Sequence, residues 1–103
     1  MRLNEFTFAS VVKASAEIAA LEEGKQVHAS ILKTGLDSDI FVGSALVDMY
    51  SKCRVVEEAW QLFDCMPERN VISWSAMIAG YALNGKDEKA LKVFWQALMM
   101  GLR

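Results

Sequence analysis

Apolar residues recur at three- and four-residue spacing in six stretches of the chain, separated by turn-forming residues. Asn4 can cap a first helix beginning near Glu5, in which Val11, Ala14 and Ser15 fall at helical spacing until polarity rises at Glu17. Leu21-Glu22-Glu23 opens a second helix with a stripe of Val27, Ile31 and Leu32, ended by Gly35. Ser38 or Asp39 caps a third, which carries Val42, Ala45, Leu46, Met49 and Tyr50 on one face. A turn at SKCRV leads to a fourth helix with Ala59, Leu62, Phe63 and Met66 at i, i+3, i+4 and i+7. Pro67 stops it, because a helix interior cannot accommodate a missing N–H. Asn70 caps a fifth helix with Ser73, Ala76, Met77, Gly80 and Tyr81 inward, and Asn84-Gly85 makes the next turn. The sixth has Ala90, Val93, Phe94 and Ala97 inward and ends at Gly101. No segment alternates with the two-residue period of a strand. The pattern predicts an all-α chain of six helices in three antiparallel pairs.

The pairs are copies of one another. Residues 40–70 moved forward by 31 positions place Ala45, Tyr50, Glu57, Ala59 and Phe63 on Ala76, Tyr81, Glu88, Ala90 and Phe94. Moved back by 35, Glu57, Glu58 and Gln61 fall on Glu22, Glu23 and Gln26, with Leu46-Val47 over Val11-Val12. A repeat of this length signals stacked supersecondary units. One helical hairpin cannot bury its apolar faces alone, so the pairs are expected to stack as an α-solenoid, a fragment of a right-handed superhelix. The end pairs then expose surface. Trp95, Leu98, Met99 and Met100 are more apolar than a capping helix needs, which predicts either further repeats or a homo-oligomer through the exposed terminal repeats.

Composition narrows the functional classes. With 103 residues the chain is one domain by length, and its formal charge of −2 argues against phosphate-driven binding of nucleic acid. It leaves room for recognition of unstacked bases. No apolar run approaches the roughly 18 residues of a membrane span, so no membrane contact is expected. MRLNEF has neither the apolar core of a secretory signal nor the length of a transit peptide. Cys53 and Cys65 lack CxxC spacing and His28 has no ligand partners nearby, so no metal and no cofactor is expected. The carboxylate pairs Glu22-Glu23 and Glu57-Glu58 recur at helix starts, where they complement the helix dipole rather than perform acid–base chemistry.

The wording of the repeats is specific. LEEGKQVHASILKTG, ALVDMYSKC, LFDCMPERNVISWSAMIAGYALNG and ALKVFWQALMMGL resemble pentatricopeptide repeat proteins of land plants, in the subclass that alternates long, short and standard repeats. The likeness divides the chain into a long repeat at 5–39, a short repeat at 40–70 and a standard repeat at 71–103 that is cut before its last positions. The unequal offsets of 35 and 31 match that alternation. A tetratricopeptide array, the nearest rival, lacks the MPERNVISW junction.

The resemblance implies sequence-specific binding of single-stranded RNA, one base per repeat. In the family a residue of the first helix and the last residue of the repeat select the base, and an apolar side chain near the helix start helps to sandwich it. Carried over, the short repeat offers Ser44 and Asn70 as the selecting pair, with Phe41 and Ile72 as the sandwich. A serine–asparagine pair leans towards adenine, whose edge an amide can meet. The long repeat offers Ala9 and Asp39 with Phe6; alanine has no side-chain hydrogen bond to give, so no base is assigned. The standard repeat offers Ser75, with its partner beyond Arg103 and at most a purine lean. By pattern alone Ser44 and Ser75 would be solvent-facing polar residues, Asn70 a helix cap, and Phe6 and Phe41 inter-repeat core. The sequence departs from the family at Arg54, a turn position usually held by glycine, at Ser15 and at Ser75.

The family likeness also implies a parent protein in the chloroplast or mitochondrion that processes RNA, with C-to-U editing the foremost activity. Long repeats of this kind dock small editing-cofactor proteins, which makes residues 5–39 an alternative protein-interaction scaffold. The chain itself is not expected to be an enzyme: a zinc deaminase needs His-x-Glu and a downstream CxxC, whereas His28 is followed by Ala29-Ser30.

Overall fold

A computed structural model describes residues 3–101. Six α-helices run in order: α1 (Glu5–Glu17), α2 (Leu21–Thr34), α3 (Ile40–Lys52), α4 (Val56–Cys65), α5 (Val71–Leu83) and α6 (Asp87–Met99), with a short 3-10 turn at Leu36–Ser38. No strand forms among the described residues, and the last two positions of the stretch 71–103 lie outside them. The molecule is elongated, 42 × 26 × 17 Å.

The architecture is the expected α-solenoid fragment. Each hairpin packs its two helices together, and α3 lies between α1 and α5. The second helices pack on first helices and scarcely touch one another. Helices α1, α3 and α5 therefore form the tight layer of the stack, and α2, α4 and α6 the splayed one. Residues 42–47 and 49–51 are buried without a gap, because α3 has neighbours on both flanks. Its Val42, Val47 and Met49 are wholly enclosed, with Phe63 from α4 and Met77 from α5.

Local chemistry sets the same boundaries three times. Asn4, Asp39 and Asn70 each cap a first helix from extended backbone, and each side chain accepts from an N–H of the first turn. All three first helices are 13 residues long. Each ends in a turn whose left-handed residue is Ala19 (φ 51°), Arg54 (φ 68°) or Gly85 (φ 73°). Behind it the amides of Ala20, Val55 and Lys86 donate to the carbonyls of Ser15, Tyr50 and Tyr81 at 2.8–3.0 Å. Glycine is thus the natural occupant of the Arg54 position, and the arginine holds the strained conformation there. Its guanidinium offsets part of that cost by donating to the Leu83 carbonyl at 2.7 Å.

The unequal repeat lengths have one source. Helix α2 has 14 residues and α4 only 10, so the middle hairpin lacks the last turn of its second helix. The chain leaves α4 at Met66, before Pro67. Arg69 folds back to close the end, donating to the carbonyls of Phe63 (3.2 Å) and Asp64 (3.0 Å) while its guanidinium lies 4.5 Å above the Phe63 ring.

Three apolar stripes differ from those read in the sequence. In α1 the buried face is Phe8, Val12, Ser15 and Ala16, while Val11 and Ala14 are exposed. In the later helices Leu32 and Phe94 are also exposed. The reason is common: α1, α2 and α6 belong to the end hairpins, where one flank has no neighbour. Trp74, absent from the predicted inward set, is buried edge-on against Phe63 at 4.9 Å.

Candidate nucleic-acid interface

The helix caps place three equivalent groups at one edge of the tight layer. Two residues after Asn4, Asp39 and Asn70 stand Phe6, Phe41 and Ile72, and three residues further stand Ala9, Ser44 and Ser75. A separation of three puts each such pair on one helix face. Contrary to the core role that the pattern alone assigns to the phenylalanines, Phe6, Phe41 and Ile72 are 64%, 49% and 51% exposed. The Phe6 and Phe41 rings lie 6.3 Å apart and tilted, so adjacent repeats hold adjacent aromatic faces. Leaving such side chains half in water forgoes about 1 kcal/mol each. The row is formed nonetheless because the caps fix the start of each helix.

The polar residues are placed unequally. Ser75 is exposed and Ala9 half-buried. Ser44 is buried, unlike the solvent-facing serine that pattern alone predicts, and its hydroxyl has no hydrogen-bond partner. Asn70 forms a capping box: its Oδ1 accepts from the Ser73 amide at 3.0 Å, and its own amide donates to the Ser73 Oγ at 2.9 Å. Among the described residues its side-chain NH2 is left without a protein partner. Asp39 spends one oxygen on two amides, those of Phe41 (2.9 Å) and Val42 (3.0 Å). No hydrogen bond joins Ser44 to Asn70. What the edge offers is stacking surface beside amide, carboxylate and hydroxyl groups. Further along the same layer Lys52 is tied to Glu17 (3.0 Å) and Asp48 (3.3 Å), and the Glu17 hydrogen bond raises its pKa.

Other polar contacts escaped the sequence reading. His28 of α2 and Tyr50 of α3 share a hydrogen bond of 2.8 Å with the rings edge to face. Burial lowers the His28 pKa against the opposing pull of Asp37 and Glu58, and burial raises that of Tyr50. The two line an open groove between α2 and α4 with Glu58, Gln61, Leu62 and Cys65. The repeat register carried a signal for this pair, since His28 stands where the next repeats have Phe63 and Phe94. Among the described residues no three His, Cys, Asp or Glu side chains converge as metal ligands, and no helix is long and apolar enough to cross a membrane.

Comparison with known proteins agrees with this geometry. The PPR repeat family model matches residues 44–71 and 72–102. A pentatricopeptide repeat-containing protein of Arabidopsis thaliana is 52% identical over 90% of this chain and 9% of its own length. Another, named as mitochondrial, is 52% identical over 88% of the chain and 14% of its own length. A third, named as chloroplastic, is 47% identical over 90% of the chain and 15% of its own length. The chain thus spans 9–15% of the length of these curated relatives.

Proposed function

Because the chain belongs to the pentatricopeptide repeat family, we propose that the edge formed by Phe6, Phe41 and Ile72 binds single-stranded RNA, one base per repeat. The observation that carries this reading is the exposed apolar row itself, repeated at the same place after each cap. Bases slip between successive members: one between Phe6 and Phe41, the next between Phe41 and Ile72. Asn70 meets the second base with its free amide while its carbonyl oxygen keeps the cap, so capping and reading coexist in one side chain. The Ser44 hydroxyl is enclosed without a partner, so it reaches a base edge only by a change of side-chain rotamer. The Ser44 and Asn70 pair favours adenine; Ser75 contributes a purine preference; Ala9 and Asp39 specify no base.

The parent protein on this reading is an organellar RNA-processing factor of the long–short–standard subclass, guiding C-to-U editing in the chloroplast or mitochondrion, with the catalytic step supplied outside this chain. The alternation of 14- and 10-residue second helices supports the subclass. A second reading is docking of an editing-cofactor protein on residues 5–39, where the exposed Val11 and Ile18 offer apolar surface.

Amide-shift titration with short RNAs separates the two. Base stacking contributes about 1–3 kcal/mol per base, so two or three bases supplying roughly 3–6 kcal/mol give a Kd from about 40 µM to several mM. Shifts should cluster at Phe41, Ser44, Asn70 and Ile72 with adenine preferred, and Asn70→Asp should move the preference towards guanine while keeping the cap. Phe41→Ala should weaken binding about 5- to 150-fold. A folded sample with no localised shifts at millimolar RNA would sink the RNA reading and turn attention to residues 5–39.

A further inference from the structure

The spaces between successive second helices form two grooves at one place in the repeat. Tyr81, Lys89, Lys92, Val93 and Gln96, which line the groove between α4 and α6, each stand 31 positions after a residue lining the groove between α2 and α4. Both grooves lie between helices that the chain itself supplies. The first stays open although α5 and α6 follow it, so a following hairpin does not cover this position.

The chemistry of the two grooves is inverted. Glu58 and Gln61 in the first give way to Lys89 and Lys92 in the second, and Trp60 adds an indole there, 6.1 Å from the Tyr81 ring. Tyr50 spends its hydroxyl on His28 at 2.8 Å. Tyr81 has Phe63 at the equivalent position, and its hydroxyl makes no hydrogen bond among the described residues. Burial and the Glu57 carboxylate raise the Tyr81 pKa, which keeps that hydroxyl protonated as a donor. The second groove therefore presents two ammoniums, a phenol, an indole N–H and the Gln96 amide, a set in which donors outnumber acceptors. Both formal charges in its lining are positive, in a chain whose net charge is −2. Glu57 stands 4.0 Å from Lys89, at the outer limit of an ion pair, and Lys92 has no ion-pair partner among the described residues.

We propose that the groove between α4 and α6 docks an acidic segment of a partner protein, with two carboxylates on Lys89 and Lys92 and an apolar side chain against Trp60. Lysines three positions apart share a helix face with about 5–6 Å between their Cβ atoms. Carboxylates on alternate residues of an extended segment lie about 6.6 Å apart, a spacing that the flexible lysines can meet. The cavity, 170 Å³, has room for a side chain, whereas small-molecule and cofactor sites begin near 300 Å³. A nucleic-acid backbone would need cations along its path, and no lysine or arginine lines the preceding groove. The groove lies between second helices, apart from the apolar row on the first helices, so it is a separate site from the proposed RNA edge.

Titration of the isotope-labelled 103-residue chain with a capped octapeptide alternating aspartate and leucine tests the proposal. At millimolar peptide the Trp60 indole resonance, assigned with Trp60→Phe, should shift together with the amides of Lys89 and Lys92. Lys89→Gln and Lys92→Gln, both at exposed positions, should each weaken binding about two- to fivefold and remain folded by circular dichroism. Tyr81→Phe, which removes only the hydroxyl, should weaken it about tenfold. Glu57→Gln should tighten it about twofold, by freeing Lys89. Phe41→Ala should leave it unchanged. An absent Trp60 shift, an equal shift with asparagine in place of aspartate, or undiminished binding in the double lysine variant would each overturn the site. An equal Trp60 shift with octa-adenylate RNA would overturn the choice of a protein partner.

Discussion

Phe63 in α4 and Phe94 in α6 stand 31 residues apart at one position of the repeat, in helices that share a glutamate (Glu57, Glu88) and an alanine (Ala59, Ala90) near their starts. Phe63 is wholly enclosed by Trp74, Trp60 and the Arg69 guanidinium. Phe94 is 42% exposed, with Trp95 as its ring neighbour. His28, the third member of the series, is half-buried and hydrogen-bonded to Tyr50. Burial in this molecule is therefore conferred by neighbours in the stack. A residue's own helix determines which way it points; the next hairpin determines whether it is core.

The sharpest way to break the comparison is to delete both rings. Phe63→Ala should cost about 3–5 kcal/mol in urea unfolding, because a packed aromatic leaves a cavity. Phe94→Ala should cost less than about 1 kcal/mol in the monomer, since its ring already meets water. Equal losses would mean that the end hairpin is as tightly packed as the middle one.

Next in size is the contact between first helices. Gly80→Ala should destabilise the fold by about 1–3 kcal/mol through overlap with Ser51, despite alanine's better helix propensity. Ser51→Ala should be neutral or mildly stabilising, since it removes a buried hydroxyl that has no partner. Melting temperatures of the two variants and of the double variant would show whether the pair is coupled.

The turns give a smaller effect. Ala19→Gly should stabilise by about 0.5 kcal/mol, relief of the left-handed strain outweighing the added freedom of the unfolded chain. Arg54→Gly should gain little by comparison, because it also loses the bond to the Leu83 carbonyl.

Smallest is the pH response of the third member of the series. Burial lowers the folded-state pKa of His28 below its ordinary value of 6.5, so between those two values the unfolded chain binds more protons. The histidine's contribution is intact above pH 6.5 and is lost as pH falls through the folded-state pKa. His28→Phe should flatten that part of the stability profile. An unchanged slope would show that His28 is as well solvated folded as unfolded.

Much of the fold was legible because it rests on local rules repeated in register. Asn4, Asp39 and Asn70 announce helix starts, Pro67 and Gly85 announce stops, and the offsets of 35 and 31 align the hairpins. The errors were tertiary. Val11 and Ala14 satisfy a helical stripe as well as Val12 and Ala16 do, and only the position of α3 decides between them. The row of Phe6, Phe41 and Ile72 was legible as a set of equivalent positions, whereas its exposure was not, since apolar residues ordinarily predict core. Burial of the Ser44 hydroxyl and the reach of Arg69 to Phe63 depend on how neighbouring elements close over them, which no periodicity encodes.

The dual duty of the cap residues limits how such a protein can change its target. On the proposed reading, the side chain that chooses a base at Asn70 also begins the next helix. Asparagine, aspartate and serine serve almost equally well as caps, whereas alanine costs about 1 kcal/mol. The vocabulary available at this site is thus restricted to residues that fold well. Within that restriction, one letter can replace another with little change in stability. A lineage could retune its preferred base by single substitutions, without passing through an unfolded ancestor.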